Sequence, residues 1–126
     1  MFQDNLLQGK RILVTGGGTG LGKEMSRYFL KYGAEVIICG RRGEVLESTA
    51  EELMKEQGGT VKYYPLDIRA PQDVDNTISE IFLDEPLDGL VNNAAGNFIS
   101  RTQDLSHRGF DAIASIVFHG TFYVTH

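Results

Sequence analysis

Between the apolar run Arg11-Ile12-Leu13-Val14 and a helix-compatible stretch, Lys23 to Tyr32, lies Thr15-Gly16-Gly17-Gly18-Thr19-Gly20-Leu21-Gly22. A buried strand, a glycine turn and a helix start in that order build a phosphate site. Glycines let the backbone turn tightly and come close to a pyrophosphate. The free N–H groups and the dipole at the helix N-terminus then favour its negative charge.

Two templates compete for these residues. Gly17-x-x-x-x-Gly22-Lys23 fills most of a P-loop, but Glu24 follows. A P-loop needs a Ser or Thr hydroxyl there to hold magnesium, and a carboxylate would sit against the nucleotide phosphates. The other template is a dinucleotide turn. Its strict G-x-G-x-x-G spacing is absent, because the sixth position counted from Gly16 is Leu21. The spacing present is Thr-Gly-x-x-x-Gly-x-Gly, Thr15 to Gly22.

The rest of the chain alternates strand-like and helix-like segments. Strands are predicted over Arg11–Thr15, Glu35–Cys39, Thr60–Leu66 and Leu87–Asn92. Helices are predicted over Gly20–Tyr32, Gly43–Gln57, Pro71–Leu83 and Ser106–His126. Gly33 suits a helix C-cap, Pro71 a first helical turn and Ser106 an N-cap. Such alternation predicts an α/β fold: a parallel sheet with helices on both faces. The chain of 126 residues is long enough for one modest domain with a single core. No domain boundary is visible within residues 1–126.

A net charge of −5 offers no basic footprint for nucleic acid. One cysteine, Cys39, allows neither an internal disulfide nor a cysteine zinc cluster, and no metal site is expected. The apolar runs are too short for a membrane span, and Met1 to Lys10 does not read as a signal peptide. A cytoplasmic location is the resulting expectation.

Two later segments belong with the glycine turn. In dinucleotide folds an acid about 20 residues past the turn bonds the 2′-hydroxyl of NAD. Here the second strand ends in Cys39-Gly40-Arg41-Arg42, with no acid before Glu44. Arg41 and Arg42 suit the 2′-phosphate of NADP(H) through charge-assisted bonds, although two arginines opening a helix also read as a solvated surface pair. After the third strand comes Asp67-Ile68-Arg69. After the fourth comes Asn92-Asn93-Ala94-Ala95-Gly96, which puts amide groups at the carboxyl edge of the sheet beside residues small enough for a flat ring.

The Thr-Gly-x-x-x-Gly-x-Gly turn followed by Asn-Asn-Ala-Ala-Gly resembles the short-chain dehydrogenase/reductase family, over the whole chain. The resemblance implies a Rossmann-type doubly wound parallel sheet, here its N-terminal half with about four strands and four helices. It implies NADP(H) contacts from Gly16, Gly18, Thr19, Gly20, Leu21, Arg41, Arg42, Asp67, Asn93, Ala94 and Gly96. A finer resemblance runs through Asn92-Asn93-Ala94-Ala95-Gly96-Asn97-Phe98-Ile99-Ser100, which is similar to 2,4-dienoyl-CoA reductases. Those enzymes use NADPH to reduce a dienoyl thioester. By that resemblance Asn97 is the expected catalytic residue, donating to the thioester oxygen. Arg69, Phe98 and Ser106 belong to the surface for the fatty acyl-CoA substrate. Other short-chain reductases, acting on trans-2-enoyl-CoA, carbonyl or sugar substrates, share the scaffold, and so does a non-catalytic dinucleotide-binding module.

Two departures from the family pattern stand out. Many members carry an Asn in the fourth helix where this chain has His119, expected to be a structural histidine. The family's proton-donor motif, Tyr-x-x-x-Lys, is missing. Residues 1–126 are therefore expected to be an NADP-binding domain truncated before its catalytic segment, inactive alone, from a homotetramer whose fourth helix lies in the interface. Phe110, Ile113, Val117 and Phe122 fit an apolar packing face, for such an interface or for the core.

Overall fold

In the computed structural model, which describes residues 2–97 and 99–126, the four β-branched runs align as parallel strands: β1 (Arg11–Thr15), β2 (Glu35–Gly40), β3 (Val61–Pro65) and β4 (Gly89–Val91). Their order is β3-β2-β1-β4. The direction of winding reverses between β1 and β4, the crevice where open α/β sheets take their ligands.

Period-two alternation decides which face each side chain covers. Ile12, Val14, Val36 and Ile38 pack on one face with Leu30, Leu46, Ala50 and Leu53. These last four come from α1 (Gly20–Lys31) and α2 (Gly43–Gln57). Leu13, Ile37 and Cys39 point to the other face, against Val74 and Ile81 of α3 (Pro71–Asp84) and against Val124. Both faces of the central strands are buried, which is why β1 and β2 read as continuous apolar runs rather than alternating ones.

Two expectations are corrected. The fourth strand pairs only over Gly89–Val91, not Leu87–Asn92. Just before its start Asp88 meets Arg11 through both backbone and side chain: its N–H donates to Arg11 O and its carboxylate accepts from the Arg11 N–H, both at 2.8 Å. At its end Asn93 N–H turns back onto Val91 O at 3.0 Å. The fourth helix is not one regular α-helix. It runs as α4 (His107–Ala114), a π-helical segment Ser115–Gly120, and α5 (Thr121–Thr125). The widened turn brings Gly120 onto Ile68, where a Cβ would lie 2.7 Å from the Ile68 side chain. Ser106 caps α4 as expected, its hydroxyl accepting from Gly109 N–H at 3.0 Å.

Of the apolar residues of this last rod, Val124 enters the core and Ile116 and Tyr123 pack against it, while the phenylalanines do not. Phe110, Phe118 and Phe122 are 60%, 72% and 61% exposed. Val117 is exposed as well, and Ile113 is half-buried. Among the described residues no helix is long and apolar enough to cross a membrane.

Candidate functional site

The carboxyl ends of all four strands open into one cleft of about 370 Å³. Gly16, Gly18 and Thr19 line it from the glycine turn, and Arg41 and Arg42 from the end of β2. Asp67 and Arg69 come from the loop after β3, and Asn93, Ala94 and Ala95 from the loop after β4.

The glycine turn holds its shape for steric reasons. Gly16 has φ +65°, a region side chains avoid. Gly22 lies so close to the turn that a Cβ would collide with Gly16 O and stand 2.6 Å from Asn93 Nδ2. Hydrogen bonds tie the turn down. Gly16 N–H donates to Cys39 O at 2.8 Å, and Asn93 Nδ2 donates to Gly16 O at 3.2 Å. The buried Thr49 hydroxyl donates to Gly18 O at 2.7 Å. Above the turn, α1 follows its N-cap residue Thr19, with no side-chain cap and no acid in its first turn. Its leading N–H groups are thus left for an anion.

The crevice between β1 and β4 is closed from below by Thr15. Its hydroxyl oxygen accepts from Asn93 N–H and Ala94 N–H, both at 3.0 Å, and lies 3.4 Å from Val91 O. Sequence reasoning assigned no site role to Thr15 or Thr49. For Thr49 no local pattern could have done so, because its partner, Gly18 O, is 31 positions away. Ile116, which also lines the cleft, gave no signal at all.

Charge is concentrated here against the trend of the chain. The cleft is lined by Arg41, Arg42 and Arg69 with one acid, Asp67, although the net charge of the protein is −5. Arg69 grips Asp67: Nε donates to Oδ1 at 2.9 Å and Nη2 to Oδ2 at 2.6 Å. These bonds hold the Asp67 carboxyl below the usual carboxylate range. Partial burial opposes them, and the charge of Arg41 helps. Cys39 lines the cleft with its thiol pushed up to about 12 by burial, so it is a neutral core group rather than a nucleophile.

Other expected positions lie elsewhere. Gly20 and Leu21 begin α1 on its exposed side. Gly96 and Asn97 follow Ala95 along the loop outside the cleft lining, with Asn97 exposed. Ser106 spends its hydroxyl on the helix cap and faces a separate depression with Leu105, His107 and Phe110. Phe98 lies outside the described residues. His119 is not buried as a structural histidine would be. It is exposed, its ring 5.6 Å from Phe118 and 6.3 Å from Tyr123. The P-loop alternative fails on geometry, since the Lys23 ammonium is taken by Glu52 of α2 instead of reaching the cleft.

Residues 10–126 match the family model described as short chain dehydrogenase. The probable 2,4-dienoyl-CoA reductase 3 of Caenorhabditis elegans is 48% identical over 99% of this chain and 41% of its own length. A probable 2,4-dienoyl-CoA reductase of Bacillus subtilis is 36% identical over 93% of this chain and 46% of its own. The chain thus spans less than half the length of these curated relatives. Among solved structures, the citronellol catabolism dehydrogenase of Pseudomonas aeruginosa superposes with a TM-score of 0.92 at 33% identity, covering 99% of this chain and 51% of that one. A short chain dehydrogenase of Escherichia coli complexed with NADPH superposes with a TM-score of 0.92 at 28% identity, covering 98% and 53%.

Proposed function

Because the chain belongs to the short chain dehydrogenase family, we propose that it is the cofactor half of an NADP(H)-dependent reductase acting on unsaturated fatty acyl-CoA thioesters. The observation that carries this reading is the cationic cleft at the sheet's switch point, with three arginines against one aspartate in an acidic chain. Such a cleft attracts ligands rich in phosphate, and both NADPH and acyl-CoA are of that kind. The relatives named 2,4-dienoyl-CoA reductase favour the thioester over a ketone or a sugar.

The residues present fit the dinucleotide. The glycine turn and the uncapped start of α1 would hold the pyrophosphate. Arg41 and Arg42 would take the 2′-phosphate and Asp67 the adenine amino group. Asn93 and Ala94 would border the nicotinamide. When bound, the reduced nicotinamide supplies a hydride. Asn97 would donate to the thioester oxygen and stabilise charge developing there, while Arg69, Phe98 and Ser106 serve the acyl-CoA. The exposed apolar face of α4 and α5 fits the helix interface of a homotetramer.

The test is an assay of the full-length protein, following NADPH oxidation with dienoyl-CoA, enoyl-CoA and simple ketones side by side. Turnover confined to the ketones would overturn the substrate class. Asn97→Ala is expected to lower turnover with dienoyl-CoA about a hundredfold, with NADPH affinity and melting temperature nearly unchanged. A variant that melts early but turns over normally when folded removes Asn97 from the chemistry and leaves it a loop-shaping residue.

A further inference from the structure

Asp67 and Arg69 form one unit in the cleft. Arg69 donates its backbone N–H to Oδ1 at 3.0 Å and its Nε–H to both Oδ1 and Oδ2, at 2.9 and 3.1 Å. Its Nη2 donates to Oδ2 at 2.6 Å. A carboxylate accepts about four hydrogen bonds, and a guanidinium has five N–H donors. The Nε–H is one hydrogen shared between both oxygens, so three hydrogens of Arg69 face about four acceptor positions. The Oδ2 side, where the shared contact is the longer at 3.1 Å, has room for one more donor. The Nη1 edge of Arg69 keeps its hydrogens free of Asp67. The backbone beneath the pair is held as well. Ile68, between them, is 6% exposed and sits in the notch at Gly120, too tight for a Cβ there.

Resting on the reading of the cleft as an NADP(H) site, we propose that Arg69 is a positioning residue for the cofactor: it fixes the Asp67 carboxylate side-on so that its one remaining acceptor site meets the amino group of adenine. Arg69 thereby acts on the choice of base. Without its fork, the Asp67 carboxylate rotates and is solvated, and its preference for a donor at the purine 6-position weakens. The same fork leaves the outer edge of Arg69 open to a substrate phosphate, so a single ion pair faces both ligands.

The experiment is calorimetric titration of the full-length protein, without acyl-CoA, by NADPH and by its hypoxanthine analogue. The analogue carries a 6-oxo acceptor where adenine carries an amino donor. The wild type is expected to prefer NADPH by about tenfold or more, the worth of one hydrogen bond to a charged group. Asp67→Ala should abolish that preference, and Arg69→Ala should reduce it at least threefold. Arg69→Lys, which keeps the charge but not the planar fork, should reduce it as well. Melting temperatures confirm that each variant is folded, and Arg69→Lys serves if the alanine variant is not. A purely structural role for Arg69 would weaken both dinucleotides equally and leave the preference intact, which overturns the proposal. Loss of preference in the Arg69 variants but not in Asp67→Ala also overturns it, because Arg69 would then act directly. If no variant alters the preference, adenine does not lie at Asp67 and the underlying placement of the cofactor fails instead.

Discussion

Arg41 and Arg42 stand side by side at the end of β2, both exposed and both lining the cleft. Arg42 also occupies the N-cap of α2, a position where a cation is unfavourable and where it makes no side-chain cap. A phosphate bound there would offset that. Replacing both arginines with alanine in the full-length protein is expected to raise the Kd for NADPH about tenfold to a hundredfold and leave NADH nearly unchanged. Titrating both cofactors checks this, and equal losses for the two refute the assignment. The place of these arginines in the cleft was legible in the sequence because it follows from standing immediately after a strand. The pairing of Asp67 with Arg69 was not read there, although the two are only two positions apart. Their separate roles were inferred by resemblance, and only the loop's backbone turns one side chain onto the other.

At the scale of elements, the glycine turn and α1 act as one rigid piece. Gly22 belongs to the helix, yet its missing side chain makes room for Gly16 O and Asn93 Nδ2. A methyl group there must push the helix off the turn or open the bridge to the β4 loop. Gly22→Ala is expected to cost about 1–3 kcal/mol in stability, as overpacking does, and to weaken NADPH binding about tenfold or more. Chemical denaturation and cofactor titration on the same variant test both. Unchanged NADPH affinity would show that the turn tolerates the displacement. The π-helical segment is the element that pattern reading missed. Residues 106–126 carry helical periodicity throughout. Within the widened segment Ser115–Gly120, Gly120 packs on Ile68, a residue of a distant loop.

For the whole molecule, Arg11 joins parts that are remote in sequence. It is 3% exposed, at the amino end of β1, opposite the cleft. Its Nη1 reaches Glu85 O just past α3 and lies 3.5 Å from Ile81 O within it. Its Nε is 3.4 Å from Glu35 Oε2 of β2. The last turn of α3 has no basic residue of its own, so Arg11 supplies the cation that a helix C-terminus favours. Arg11→Met removes the buried partner of a half-buried ion pair and strands the carbonyl acceptors at the end of α3. The expected loss is about 3 kcal/mol, read as a lower urea midpoint with little change in NADPH affinity. A stability loss under about 0.5 kcal/mol, the range of ordinary surface substitutions, would show that Arg11 is no clamp.

Strand and helix order, the glycine turn and the residues that follow each strand were determined by the sequence alone. Each depends on neighbours a few positions apart, where backbone geometry ties periodicity and turn chemistry directly to local structure. The sheet order brought Gly16, Arg41, Asp67 and Asn93 to one cleft, as alternating β and α segments implied. Only the tertiary structure decided which of the remaining side chains meet. It drew Lys23 to Glu52 and away from the glycine turn, and set Thr15 under the β4 loop. It also left Phe110, Phe118 and Phe122 on the surface. Those outcomes depend on contacts between residues tens of positions apart, settled by how helices pack on the sheet, and no pattern within one segment carries that information.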